Sequence, residues 1–130
     1  MSDADPGNFG NDDALDWVYD LEESSGADLL KEAFSAVSAN NYEATDCRIA
    51  LAAAEIIASA QGKPPTDLPE EARKWLGNQE EVDDIKALGK KAIAVVNKIS
   101  VKSELRDEWE ESDGWHAWQQ VVEGLRRRLQ

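Results

Sequence analysis

Only one cysteine and one histidine occur in 130 residues. A lone thiol, Cys47, excludes an internal disulfide framework and cannot build a thiolate metal site by itself. A lone imidazole, His116, leaves little from which to build a nucleophile activated by a neighbouring base. Nothing in the sequence brings His116 and Cys47 together, and Cys47, at the start of an Ala-rich stretch, reads as a small buried hydrophobe. Phosphate-binding glycine loops are missing: neither G-x-G-x-x-G nor G-x-x-x-x-G-K occurs. The longest apolar stretch, Ile49 to Ala60, is broken by Glu55 and is too short to span a bilayer. The opening residues, Met1 to Asp13, are acidic and polar, without the basic and apolar regions of a secretory leader. These absences lead to the expectation of a cytoplasmic, reduced protein without cofactor or membrane attachment.

Positive charge is scarce at one end. Residues 1–46 hold twelve Asp and Glu against a single base, Lys31, and so carry eleven of the thirteen net negative charges. The rest of the chain, with fifteen acids and thirteen bases, is nearly neutral. Such a one-sided field attracts cationic partners and repels nucleic acid and anionic lipid. The only basic clusters, Lys90-Lys91 and Arg126-Arg127-Arg128, are short and balanced by acids, which argues against a nucleic-acid footprint.

What the chain does have is helical periodicity. With 42% apolar and 32% charged residues it reads as one globular domain large enough for a core without staples. Residues 1–10, with Pro6, Gly7 and Gly10, read as an irregular arm pinned by Phe9, and residues 11–130 as a single helical domain. Ala14, Trp17, Val18 and Leu21 form the first apolar stripe, with Asn11 or Asp12 as N-cap. Ala27, Leu30, Ala33, Phe34 and Val37 form the second, ending near Asn40-Asn41. The segment Ala44 to Gln61 is apolar nearly all round and holds seven alanines, the signature of a central helix approached closely on several sides. Gly62 and Pro64-Pro65 stop it. A short helix then carries Ala72, Trp75 and Leu76 between Pro69 and Gly77. The stripe Val82, Ile85, Leu88, Ala92, Val95, Val96 and Ile99 predicts one long fifth helix, opened by a capping box of Asn78 and Glu81. Ser103 caps a short helix with Leu105 and Trp109. Asp113 is the expected cap of the last helix, whose face is Trp115, Trp118, Val121, Val122, Leu125 and Leu129 and whose terminal arginines suit the helix dipole. No segment alternates with period two. The fold class is therefore all-α: a compact irregular bundle of six to seven helices around the Ala-rich one.

Candidate chemistry is thin. Asp113 and His116, three residues apart, share a helical face and offer two metal ligands, with Glu110 or Glu111 nearby. Carboxylate sites in bundles are usually built from Glu-x-x-His pairs on two helices, however, and here there is one His. The run Asn11-Asp12-Asp13-Ala14-Leu15-Asp16 lacks the glycine and the terminal glutamate of an EF-hand loop, so helix capping and the dipole explain its acids. No metal is expected. Five tryptophans, three of them between Trp109 and Trp118, fall on apolar faces and read first as core, with interface anchoring as the alternative.

Several stretches together resemble a bacterial family known as domain of unknown function 4259. They are Asn8-Phe9-Gly10-Asn11-Asp12-Asp13-Ala14 with Asp16-Trp17, then Ala52-Ala53-Ala54-Glu55-Ile56-Ile57-Ala58, Pro65 to Leu68, Ser103-Glu104-Leu105-Arg106, Trp109-Glu110-Glu111-Ser112-Asp113 and Trp118. The resemblance spans nearly the whole chain. Members usually open with a Gly-Trp-Gly-containing arm, which Met1 to Pro6 does not match. The resemblance implies a compact, stand-alone helical domain and brings no activity or catalytic residues.

The residues favour a non-enzymatic binding protein whose acidic N-terminal third docks on a basic protein, in the manner of an immunity protein or antitoxin covering a nuclease-like toxin. Asp12, Asp13, Asp16, Asp20, Glu22 and Glu23 are the expected contacts, with Trp17 as anchor. The alternatives are a metal-dependent hydrolase using Asp12, Asp13, Asp16, Asp113 and His116, and a self-associating module using the Trp-rich C-terminal face.

Overall fold

Helix α3 (Ala44–Ala60) is the axle of the molecule, and its composition explains why. Residues 50–58 of α3 are buried without interruption. The methyl side chains of Ala50, Ala52, Ala53, Ala54 and Ala58 let neighbouring backbones come close, while Leu51, Ile56 and Ile57 fill the space between them. In the computed structural model, which describes residues 5–39 and 42–130, all seven other helices pack on α3. These are α1 (Asp12–Glu22), α2 (Asp28–Ser38), α4 (Glu70–Gly77), α5 (Val82–Lys86), α6 (Gly89–Val101), α7 (Glu104–Glu110) and α8 (Trp115–Leu129). Enlarging one of the central alanines, as in Ala53→Leu, forces a neighbour aside at about 1–3 kcal/mol.

The all-α bundle around an Ala-rich centre is as expected, and among the described residues there is no strand. The stripes are buried as the periodicity requires: Ala14, Trp17, Val18 and Leu21 on α1, and Leu30, Ala33, Phe34 and Val37 on α2. Trp118, Val122, Leu125 and Leu129 do the same on α8, with Trp115 and Val121 only partly covered. The Asn40-Asn41 ending expected for the second helix, and residues 1–4 of the arm, lie outside the described residues. No helix among them is long and apolar enough to cross a membrane.

Three local expectations are corrected. The long fifth helix is broken into α5 and α6 at Ala87-Leu88. Gln61 lies at the break: its amide nitrogen donates to the Lys86 carbonyl at 3.3 Å and sits where a side chain on Gly89 would begin. The three- and four-residue spacing survives because Ile85 on one piece and Ala92, Val95, Val96 and Ile99 on the other still face α3. Asn78 ends α4 instead of opening the next helix, whose N-cap is Glu81. Gly114, not Asp113, is the N-cap of α8; Asp113 stands exposed beside it. The helix stop at Gly62 is as read: its φ of 87° lies in the left-handed region that glycine tolerates.

One polar feature crosses the core. Glu55, 1% exposed, accepts from Arg128 Nη1 at 2.6 Å and Nη2 at 3.2 Å, and from Asn8 Nδ2 at 2.8 Å. The arm, the central helix and the last turn of α8 are thereby tied at a single carboxylate.

Candidate functional site

The site is built outward from the first turn of α1. Asn11 has extended backbone, and its Oδ1 accepts from the Ala14 N–H at 2.8 Å, satisfying one of the free donors that open a helix. Before it the arm turns tightly. The Gly7 N–H donates to Asp5 Oδ1 at 2.8 Å and the Gly10 N–H to the Gly7 carbonyl at 3.0 Å. Phe9 is buried, and Asn8 is held by Glu55. The rotation of α1 is then fixed by its apolar stripe, which packs on α3 and α4.

With that stripe inside, a period of 3.6 residues turns Asp12, Leu15, Asp16, Tyr19, Asp20, Glu22 and Glu23 outward, and all seven are exposed. Leu15 is 41% and Tyr19 65% exposed; one turn apart, they form an apolar strip between the carboxylates. None of the five acids on this arc enters an ion pair among the described residues. Their charge is therefore directed at solvent.

Two of the expected contact residues are placed elsewhere. Trp17 is 5% exposed and packed in the core, and its indole is part of the stripe that seats α1; it is not a surface anchor. Asp13 is committed to Arg48, whose Nη1 lies 3.0 Å from its carboxylate, while Arg48 Nη2 lies 2.6 Å from Glu108. Asp13 thus helps join α1, α3 and α7. Tyr19 and Leu15 were not singled out from the sequence. Their signal was available, because both fall one position off the buried stripe.

Beside the first turn of α1 opens a cleft of about 480 Å³ between the arm, α1, α3, α7 and the start of α8. Its lining includes the apolar Leu51, Leu105, Trp109 and Trp118, the carboxylates of Asp5, Asp12, Asp13 and Glu108, and Arg48, which pairs with Asp13 and Glu108. Trp109 is held in place by the chain that follows it. Its ring lies over Gly114, where an added Cβ would stand 2.5 Å from Cζ3, so only glycine admits that approach. Trp115 stacks on Trp118 with centroids 5.8 Å apart, and the Arg106 guanidinium covers the Trp115 ring at 4.9 Å. The C-terminal tryptophans are accordingly engaged with the body of the protein.

The remaining candidates do not converge. His116 is exposed, with Nε2 3.2 Å from the side-chain amide of Gln120. Among the described residues no group of three His, Cys, Asp or Glu side chains is arranged to hold a metal ion, so Asp113 and His116 gain no further ligand and Asp12, Asp13 and Asp16 form no cage. Cys47 is fully buried, and burial pushes its thiol up to about 11, against the opposing hydrogen bonds of Leu105 and Ser103.

A family model described as Domain of unknown function (DUF4259) matches residues 4–121 of the 130-residue chain. No curated protein and no solved structure matches it.

Proposed function

Because the chain belongs to the DUF4259 family, a domain of unknown function, we propose a function from its own surface: it is a non-enzymatic, acidic protein-binding domain of the bacterial cytoplasm. Its outward α1 face docks on a basic partner, and the concrete version is an immunity- or antitoxin-type inhibitor of a nuclease-like protein. A protein that handles phosphates presents Lys and Arg, and an opposing array of carboxylates raises the association rate and selects against other surfaces.

The observation that carries this reading is the composition of the α1 arc. Five carboxylates without an ion pair among the described residues flank an exposed Tyr19 and Leu15. Free carboxylates alone would serve solubility. An exposed tyrosine and leucine between them are what an interface centre uses, the aromatic ring supplying contact area at low entropic cost and the charges forming the rim. Asp12, Leu15, Asp16, Tyr19, Asp20, Glu22 and Glu23 are the contacts in this reading, while Asp13 positions α1 through Arg48 and Trp17 seats it on the core.

The test is affinity capture by the tagged protein from the lysate of its source cell, at low and high salt, alongside a triple variant Asp12→Lys, Asp16→Lys, Asp20→Lys and a single Tyr19→Ser. The expected result is one stoichiometric basic protein, released by salt, absent from the triple variant, and inhibited in its nucleic-acid cleavage by the wild-type chain. A partner retained equally by both variants, or no partner at all, overturns the proposal.

A further inference from the structure

The cleft at the foot of α1 is a separate feature from the outward arc, and its chemistry is one-sided. Its volume of about 480 Å³ falls in the usual range for small-ligand sites. Four carboxylates line it against one guanidinium. That guanidinium, Arg48, already spends Nη1 on Asp13 and Nη2 on Glu108. An anion entering the cleft would meet net negative charge and a cation that is already neutralised.

The uncharged polar side chains Asn8 and Ser112 are tied into the protein. Asn8 is 4% exposed and lines the cleft, and its amide donates to Glu55 at 2.8 Å. Ser112 donates its hydroxyl to the Trp109 carbonyl and accepts from the Gly114 N–H at 3.1 Å. The cleft is also lined by Trp109 and Trp118 with Leu51 and Leu105. A negatively charged lining beside the partly exposed Trp109 ring suits a cationic head on an aliphatic stem: the head takes the carboxylates, and the stem packs against the indole.

We infer that this cleft binds an alkyl guanidinium or alkyl ammonium group, whether a free organic cation or the side chain of an arginine or lysine. The site stands independently of the α1 docking face, sharing only Asp12 with it.

The experiment titrates the full chain, without any protein partner, with butylguanidinium, its neutral isostere butylurea, and Nα-acetyl-arginine methylamide. Binding is read from the indole N–H resonance of Trp109, identified with a Trp109→Phe variant. Butylguanidinium should saturate this signal with a dissociation constant of about 1–10 mM at low salt, as expected for so few atoms. The Asp12→Asn variant, at an exposed position, should weaken binding roughly two- to fivefold without altering the circular dichroism spectrum. Equal or tighter binding of the arginine amide identifies a protein side chain as the source, and its exclusion identifies a free cation. The inference is overturned if butylurea binds as well as butylguanidinium, or if no cation saturates the Trp109 signal. Either result leaves the α1 docking proposal untouched, since that rests on capture of a protein by a different surface.

Discussion

Replacing Arg128 with methionine isolates an ionic contact that reaches into the core. The substitution keeps the aliphatic reach of the side chain while removing both donors that hold Glu55, at 2.6 and 3.2 Å. Glu55 is 1% exposed in the middle of α3, so its carboxylate has no route to water. Removing one partner of such a pair costs about 3–5 kcal/mol, because a buried charge is left without compensation. Two features pull the value to the lower limit: the Arg128 side chain is itself 27% exposed, and Asn8 remains bonded to the carboxylate. We expect a loss of about 3 kcal/mol. Unfolding entropy of about 2.1 cal/mol/K per residue amounts to about 0.27 kcal/mol/K for a chain of this length, so Tm falls by about 11 °C. Urea and thermal unfolding followed at 222 nm would measure both quantities. The reverse change, Glu55→Leu, should cost less, since Arg128 can turn to solvent and only the Asn8 amide loses its acceptor. The double variant should recover much of the loss, with a coupling of about 2 kcal/mol. An Arg128→Met variant within about 0.5 kcal/mol of wild type, or strict additivity of the two single changes, refutes the account of Glu55 as a charge held by Arg128.

Cys47 should resist thiol reagents in the native protein at neutral pH and react fully on unfolding, because only the thiolate attacks and burial disfavours it. The raised value also has a stability consequence: below about pH 9 the thiol is protonated in both states, and between about 9 and 11 only the unfolded state ionises, so stability declines as pH rises through that window. A Cys47→Ser comparison across pH 8–11 would show whether that part of the decline is lost. Asn11→Ala removes the side-chain cap of α1 and should lower stability by about 1 kcal/mol in urea unfolding.

Much of the fold was legible in the sequence because helix packing is governed by spacing. Ala14, Trp17, Val18 and Leu21 had to share a face whatever they packed against, and that alone turned Asp12, Asp16, Asp20, Glu22 and Glu23 outward. The run of alanines from 50 to 58 likewise identified α3 as the helix others surround, since no other segment could be approached so closely. The caps at Asn11 and Ser103 followed from local hydrogen bonding, which needs no tertiary information. The break at Ala87-Leu88 was not legible, because it leaves the three- and four-residue spacing of the stripe intact.

The helical class, the burial pattern of most helices and the concentration of negative charge at one end follow from the order of residues along the chain. Tertiary structure decided which acids are spent in ion pairs. Asp13 finds Arg48, 35 residues away, and Glu55 finds Arg128, 73 residues away. It also decided that a cleft exists at all, because its walls come from the arm, α3, α7 and α8, which are brought together only when every apolar stripe has closed on the same central helix.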